Sequence, residues 1–151
     1  MNAEYIDTLQ VRLTLELCAP SDIRFIEGIV GLIQRQCREI GFPSSKCSLN
    51  IPVALSEALA NAILRANKED PAKQVYVRSA IDTDRIVIEI GDEGPGFDFR
   101  HSMRDPTLPE NLTREDGRGL FLMTQLMDRI ESFNNNGNVV RMTLNRHAKA
   151  E

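Results

Sequence analysis

The chain has 151 residues, of which 42% are hydrophobic and 26% charged, with a net charge of -4 at pH 7 and an isoelectric point near 5.3. These values predict one globular domain with a hydrophobic core of its own, spanning residues 1–151. An acidic chain lacks the basic surface that binding to nucleic acid through charge requires, so we expect no direct nucleic-acid partner.

The amino terminus, MNAEYIDTLQ, is polar and acidic, and no apolar run approaches the length that spans a membrane. We therefore expect a cytoplasmic protein without a membrane partner. Scattered cysteines at Cys18, Cys37 and Cys47 fit neither metal-ligand nor C-x-x-C spacing, which favours reduced thiols, two of them in the core. Because His101 and His147 lie far apart, a histidine-based metal site or catalytic triad is not expected.

The first part of the chain predicts one strand and two helices. Residues 11–17 alternate between apolar and polar, which is the period of a half-buried strand. After a capping sequence, apolar residues recur at helical spacing from Ile23 to a stop at Gly41-Phe42-Pro43. A second helix is predicted over about 45–68, with Pro52 either in its first turn or at a kink.

The middle of the chain predicts a hairpin followed by a long connection. Alternating apolar residues at 75–80 and 86–90 indicate two strands joined near Asp82-Thr83-Asp84. The second strand leads into the glycine-rich stretch EIGDEGPGFDF. A polar segment at about 98–116 follows, and connections of that length in compact domains are usually functional lids or disordered.

The last part of the chain predicts a helix and a second hairpin. Gly117-Arg118-Gly119 is expected to open a helix running from Leu120 to Met127 or a little beyond. Strands at 130–133 and 139–144 are separated by Asn134–Asn138, in which Asn-Gly is a strong turn signal. The order of elements predicts an α+β fold. We expect a two-layer α/β sandwich with a mixed, mostly antiparallel sheet of about five strands and three helices on one face.

Three polar residues on the second predicted helix, Glu57, Asn61 and Arg65, are spaced i, i+4, i+8 and share one face. A solvated helix face is one explanation, because charged helix faces usually contact water. Asparagine, however, is a poor residue for a helix interior. An amide oxygen beside a carboxylate suits Mg²⁺ that also bridges nucleotide phosphates. In that alternative Asn61 holds the ion, and Glu57 orients or deprotonates a nucleophile.

Two glycine motifs could bring a nucleotide to these residues. Gly117-x-Gly119 stands at a helix start, where free amides and the helix dipole attract phosphate. Asp92-x-Gly94-x-Gly96 follows a strand directly, although each motif alone is also typical of an ordinary loop. The sequence has no P-loop motif and no dinucleotide-binding G-x-G-x-x-G after a strand.

In order and spacing, the motifs Glu57-x-x-x-Asn61-Ala62, Asp92-x-Gly94-x-Gly96-Phe97 and Gly117-Arg118-Gly119-Leu120-Phe121-Leu122 resemble the Bergerat-type (GHKL) ATP-binding fold of gyrase, histidine kinases and MutL. The short chain and the pattern GRGLFLM…LMD resemble, within that fold, the RsbW-like and SpoIIAB-like anti-sigma factor serine/threonine kinases. The resemblance covers nearly the whole chain, and it implies the histidine-kinase-like ATPase fold.

The resemblance implies a role for each motif residue. Glu57 would be the general base that activates the attacking hydroxyl, and Asn61 would bind the nucleotide through Mg²⁺. Asp92 would accept a hydrogen bond from the adenine amino group. Gly94 and Gly96 would let the backbone approach the base.

The resemblance also assigns the segment at 98–116 to an ATP lid. Gly117, Arg118, Gly119 and the adjoining Leu120 would bind the nucleotide, with the amides of the glycine segment around the phosphates. Arg104 or Arg114 in the lid could reach the terminal phosphate, and the sequence does not choose between them.

Three positions depart from the family pattern. Arg65-Ala66 stands where members often have His followed by Gly or Ala, which leaves the role of Arg65 open. Gly137-Asn138-Val139 stands where many have Gly-Thr near the adenine, a change that could weaken nucleotide binding. Pro52 lies in the helix of Glu57 but at least one turn before the site.

The resemblance implies an ATP- and Mg²⁺-dependent protein serine/threonine kinase. Such a kinase binds a sigma factor, phosphorylates a small STAS-type antagonist of the anti-sigma factor, and forms a homodimer. The departures at Arg65 and Asn138 motivate an alternative, a nucleotide-gated or nucleotide-free module that sequesters a regulatory partner without kinase activity. A detached histidine-kinase catalytic domain is disfavoured, because the sequence contains neither a phosphoacceptor helix pair nor a receiver domain.

Overall fold

The computed structural model describes residues 11–94, 115–134 and 137–147. Within these residues the chain forms five strands, β1 (Leu13–Pro20), β2 (Gln74–Ile81), β3 (Arg85–Asp92), β4 (Arg129–Asn134) and β5 (Asn138–Asn145). It also forms three α-helices, α1 (Ile26–Ile40), α2 (Ile51–Ala60) and α3 (Glu115–Leu126). A 3-10 turn at Ile23–Phe25 leads into α1, and π-helical turns at Lys46–Asn50 and Asn61–Ala66 flank α2.

The described strands form one sheet in the order β1-β2-β3-β5-β4, and each neighbouring pair is antiparallel. The α+β fold class and the three-helix layer are confirmed, but the mixed sheet expected from the sequence is a fully antiparallel one. The reason lies in the connections between the strands. Two helices lie between β1 and β2 and return the chain so that β2 runs opposite to β1. Hairpins make β3 antiparallel to β2 and β5 antiparallel to β4.

The core lies between the helices and one face of the sheet. Alternate residues of β2 and β3 point into it, as their period of two requires. The largest side chains that are almost fully buried come from both layers: Ile33, Ile51, Leu55, Leu59, Ile63, Val75, Ile81, Ile86, Ile88, Ile90, Met123 and Met142. Each contributes about 1.5–3 kcal/mol by leaving water, which fixes α2 and α3 against the sheet.

The other face of the sheet is solvated and carries a ladder of alternating charge. Glu16, Arg78, Glu89, Arg141 and Glu131 are neighbours across the five strands. Arg78 approaches Glu16 at 3.4 Å, and Arg141 approaches Glu89 at 2.9 Å. The pair of Arg78 and Glu16 is exposed and contributes little to stability, whereas Glu89 and Arg141 are partly buried; both pairs keep this face polar.

The helical segment Lys46–Ala66 corrects the expectation that no apolar run is long enough to span a membrane. Its 21 residues include a window with a mean hydropathy of 1.4, which suffices by length and composition alone. Leu55, Leu59 and Ile63 in this segment are nearly inaccessible to solvent within the core. Packing against the sheet therefore accounts for the apolar composition. Pro52 lies at the second residue of α2, in its first turn.

Most element boundaries agree with the sequence within two or three residues. α1 ends at Ile40, and the capping residue Gly41 has a left-handed φ of 85°, which suits glycine. The largest shift is in α3, which begins at Glu115 and therefore already contains Gly117 and Gly119. Glycine weakens a helix, so the sequence pattern favoured a start after both glycines. By packing in the core, Leu120 and Met123 fix the part of α3 that was predicted.

Candidate active site

Glu57 and Gly119 bring α2 and α3 into contact. A Cβ atom placed on Gly119 would lie 2.5 Å from Oε2 of Glu57, so a side chain at this position would displace the carboxylate. At the far end of α3, Nδ2 of Asn50 donates to the carbonyl of Leu126 at 2.7 Å. α3 is thus fixed to the helical segment of Glu57 at both of these points.

Asn61 follows Glu57 by one turn and begins the π-helical turn Asn61–Ala66. The amide of Asn67 closes this turn by donating to the carbonyl of Ala62 at 2.9 Å. π-helical turns are rare, and they occur frequently at functional sites. Arg65, whose role was left open, is exposed at the end of this turn.

Asp92 is the last residue of β3 and is only 6% exposed. Its Oδ1 accepts from the backbone amide of Gly94 and from Nδ2 of Asn138, each at 3.0 Å. Burial raises the pKa of Asp92, while these two hydrogen bonds and the positive charge of Lys73 oppose the shift. The carboxylate is therefore a fixed, largely desolvated hydrogen-bond acceptor.

Asn138 was noted in the sequence only as a departure from the family pattern. It lies opposite Asp92 in the β3–β5 register and is 8% exposed. Its Nδ2 donates to the carbonyl of Gly94 at 2.7 Å as well as to Asp92. Asn138 thus orients the carboxylate, a function that the sequence could reveal only once the strand register was known.

Gly94 allows the turn after β3 to pack tightly against the helical segment. A Cβ atom on Gly94 would lie 2.0 Å from the carbonyl oxygen of Ala66 and 2.3 Å from its carbonyl carbon. No side chain fits there unless the backbone moves. The family resemblance assigned Gly94 to the approach of a nucleotide base, which stays a prediction; the structure shows that glycine is needed here for an internal contact.

A small cavity brings three of the predicted residues together. Asn61, Asp92 and Leu120 line it, in the company of Ala58, Ala62, Ile90, Met123 and Val140. Its volume of about 10 Å³ corresponds to the space of roughly one water molecule. A nucleotide base is several times larger. The cavity as it stands is therefore too small to enclose a base.

A second concavity, of about 790 Å³, lies on the solvated face of the sheet. Its walls include Tyr76, Phe133 and Arg141, and Asp92 and Asn138 reach it at one end. Among the described lining residues Asn61 is absent, although this concavity is far larger than the cavity under α3. Of the predicted site residues, Asn61, Asp92 and Leu120 line the smaller cavity, and Asp92 borders both.

Part of the predicted site lies outside the described residues, at both the adenine end and the phosphate end. Gly96 and the lid at 98–116, with Arg104 and Arg114, lie outside the described residues except for the last two positions of the lid, which begin α3. In a helix that begins at Glu115, the amide of Gly117 belongs to the first four, which lack a partner within the helix. Arg118 is exposed. The phosphate contacts of this segment stay a prediction.

Magnesium is compatible with the donor groups near Asn61. The described residues contain no group of three or more His, Cys, Asp or Glu side chains that could hold a metal ion by themselves. Mg²⁺ commonly takes only one or two protein oxygens and completes its shell with phosphates and water. The amide of Asn61, with the Glu57 carboxylate one turn away, meets that requirement.

Comparison with known proteins identifies the family. The sequence profile of the histidine kinase-like ATPase domain matches residues 20–144. The serine-protein kinase RsbW of Bacillus subtilis (strain 168) is 32% identical over 148 residues, which cover 94% of this chain and 86% of that protein. This chain belongs to the RsbW family of histidine kinase-like ATPases. RsbW of Bacillus pumilus (strain SAFR-032) is 37% identical over 101 residues, 62% of each chain.

Two solved structures have the same fold. One contains the RsbU and RsbW domains of Rv1364c from Mycobacterium tuberculosis, with a TM-score of 0.61 and 16% identity over 87% of this chain and 32% of that one. The other is the mycobacterial sensor histidine kinase MprB, with a TM-score of 0.50 and 17% identity over 89% of this chain and 97% of that one. The family predicted from the three motifs is confirmed, and ATP is the nucleotide that such a domain uses.

Proposed function

We propose that this chain is an ATP-dependent protein serine/threonine kinase that acts as an anti-sigma factor in a partner-switching system, with residues 1–151 as a single kinase domain. The observation that carries the proposal is the position of Glu57, one turn before Asn61 and against Gly119 in the second turn of α3. The 32% sequence identity with the serine-protein kinase RsbW of Bacillus subtilis, in an alignment that covers 94% of this chain, supports a protein as the substrate.

Glu57 would act as the general base in phosphoryl transfer. Its carboxylate takes the proton of a serine or threonine hydroxyl as that oxygen bonds to the γ-phosphorus of ATP. The bond from the γ-phosphorus to the bridging oxygen breaks, and ADP leaves with the electron pair. Mg²⁺ held by Asn61 and the phosphates would neutralise the charge that develops on the phosphate oxygens. The amide of Gly117 lies at the end of α3 that favours an anion.

Asp92 would recognise the adenine and take no part in the chemistry. Its Oδ1 already accepts two hydrogen bonds, from Gly94 and Asn138, so Oδ2 is the oxygen left for the adenine amino group. Desolvation makes this bond selective, because a buried acceptor without a donor costs free energy. Guanine presents an oxygen in place of the amino group, so GTP should bind less well.

The proposed partners are a sigma factor and a small STAS-type antagonist, whose serine or threonine would accept the phosphate. The similarity to anti-sigma factor kinases supports both. A homodimer in the cytoplasm, without membrane or nucleic acid, stays a prediction that light scattering and cell fractionation would test. The nucleotide-free module is less well supported, because the side chain of Asn138 donates both to Asp92 and to the carbonyl of Gly94 and so holds the proposed adenine acceptor in place.

Phosphorylation of the antagonist by the purified chain tests the proposal. With Mg²⁺ and ATP, the wild type should produce a phosphoserine or phosphothreonine. Glu57→Gln should bind ATP with unchanged affinity and transfer phosphate at least about 100-fold more slowly, the usual scale for loss of a general base. Glu27→Gln removes an exposed carboxylate from α1 and is the matched control. Transfer at the wild-type rate by Glu57→Gln would refute the base assignment.

A further inference from the structure

Asn67, directly after the π-helical turn, is inaccessible to solvent, and the motif comparison assigned it no role. Its Oδ1 accepts from the amide of Glu93 at 2.9 Å. Its Nδ2 donates to Oγ of Ser21 at 2.9 Å and to the carbonyl of Gln74 at 3.0 Å. Both donors and the acceptor of the amide group are therefore used, and each partner belongs to a different segment of the chain.

The hydrogen bond from the backbone amide of Glu93 connects Asn67 to the proposed nucleotide site. Glu93 follows Asp92 directly, so Asn67 holds the peptide group next to the carboxylate proposed to bind adenine. Gly94 then packs against the carbonyl of Ala66, the residue before Asn67. The turn after β3 is thus fixed by Asn67 on the helical side and by Asn138 on the strand side.

The backbone at Asn67 is also fixed with respect to Asn61. The backbone amide of Asn67 donates a hydrogen bond to the carbonyl of Ala62, which is one residue after Asn61. The next two residues, Lys68 and Glu69, have φ values of 53° and 55°, a left-handed conformation that is uncommon for residues with side chains. A backbone of this kind persists only where surrounding contacts determine it, and the buried side-chain amide of Asn67 makes three hydrogen bonds directly before these two residues.

From these contacts we infer that Asn67 is a positioning residue, which sets the distance between Asp92 and the helical segment of Glu57 and Asn61. The inference rests on the proposed function, because it takes Asp92 as the adenine acceptor. One ATP molecule must reach Asp92 with its base and Asn61 with its phosphates. A displacement of about 1 Å between two such groups is enough to lower binding or catalysis substantially.

The test compares Asn67→Ala with Ser21→Ala. Ser21 belongs to the same buried network, because its Oγ donates to the carbonyl of Lys73 at 2.7 Å and accepts from Nδ2 of Asn67. Ser21→Ala removes this partner but keeps the hydrogen bond from the amide of Glu93 to Oδ1 of Asn67. Both variants should lose thermal stability. Titration with ATP and with GTP should give about a tenfold weaker ATP affinity for Asn67→Ala, as expected for one lost hydrogen bond at the base. Ser21→Ala should stay within about twofold of the wild type.

Nucleotide selectivity separates positioning from stability. In Asn67→Ala the ratio of GTP to ATP dissociation constants should approach one, whereas it should be unchanged in Ser21→Ala. Asn67→Asp keeps an oxygen for the Glu93 amide and should retain the preference for ATP, which keeps the inference testable should Asn67→Ala not fold.

Unchanged selectivity in folded Asn67→Ala, equal loss in Ser21→Ala, or loss of the preference in folded Asn67→Asp would each overturn the inference. Asp92→Asn separates this result from the proposed function. If that variant binds ATP normally, the adenine assignment itself is wrong. If it loses ATP while Asn67→Ala does not, only the positioning role fails.

Discussion

Replacement of Gly94 by alanine should displace the turn that carries Asp92. The added Cβ would lie 2.0 Å from the carbonyl oxygen of Ala66, about 1 Å closer than such atoms approach in folded proteins. Because the opposing atoms belong to the backbone, no change of side-chain rotamer can relieve the overlap. Overpacking of this kind typically costs about 1–3 kcal/mol, and with a shift of roughly 2–4 °C per kcal/mol the melting temperature should fall by about 2–12 °C.

The same displacement should weaken ATP binding. Asp92 accepts hydrogen bonds from Gly94 and Asn138, so movement of the turn shifts the carboxylate by a similar distance. Loss of the adenine hydrogen bond costs about 1–3 kcal/mol, which corresponds to a dissociation constant roughly 5- to 150-fold higher. Thermal unfolding without nucleotide and calorimetric titration with Mg²⁺ and ATP measure the two effects separately.

Gly31→Ala is the matched control. A Cβ atom at Gly31, within α1, would meet nothing within 4 Å. Because alanine is the better helix former, this variant should gain up to about 1 kcal/mol and leave ATP affinity unchanged. A Gly94→Ala protein that melts at the wild-type temperature and binds ATP with wild-type affinity would refute the reasoning about the turn.

Three further predictions follow from the buried polar and thiol groups. Because burial raises the pKa of Asp92, the folded state binds its proton more tightly than the unfolded state, and this group lowers stability as the pH rises above about 4. Asp92→Asn should therefore lose ATP binding, and its stability relative to the wild type should increase as the pH rises. Urea unfolding of both proteins at pH 4 and pH 7 measures this difference, and an equal difference at the two pH values would contradict the prediction. Asn138→Ala should raise the ATP dissociation constant about tenfold, since it leaves Asp92 Oδ1 with one donor; a constant within twofold of the wild type in calorimetry would contradict this role. Burial raises the pKa of Cys37 to about 12 and also raises that of Cys47, so iodoacetamide at pH 7 should label exposed Cys18 alone in mass spectra, and labelled Cys37 in native protein would disprove the assignment.

The sequence by itself determined the order of elements and the spacing of the motifs. Alternating and helical periods located the described strands and helices, because each period follows from local backbone geometry. The relation of Glu57 to Asn61 was equally accessible, since residues four apart lie one turn apart on a helix. Asp92 could be placed at a strand end because the alternating period of β3 stops beside it.

Only the tertiary structure decided which residues support these motifs. Asn67 and Glu93 are 26 positions apart, and Asn138 and Asp92 are 46 apart, so no local pattern indicates either hydrogen bond. The close approach of Gly94 to the carbonyl of Ala66 likewise depends on how β3 docks on the helical segment. Such contacts arise from packing between distant segments, and packing is fixed only when the sheet register and the helix layer have formed together.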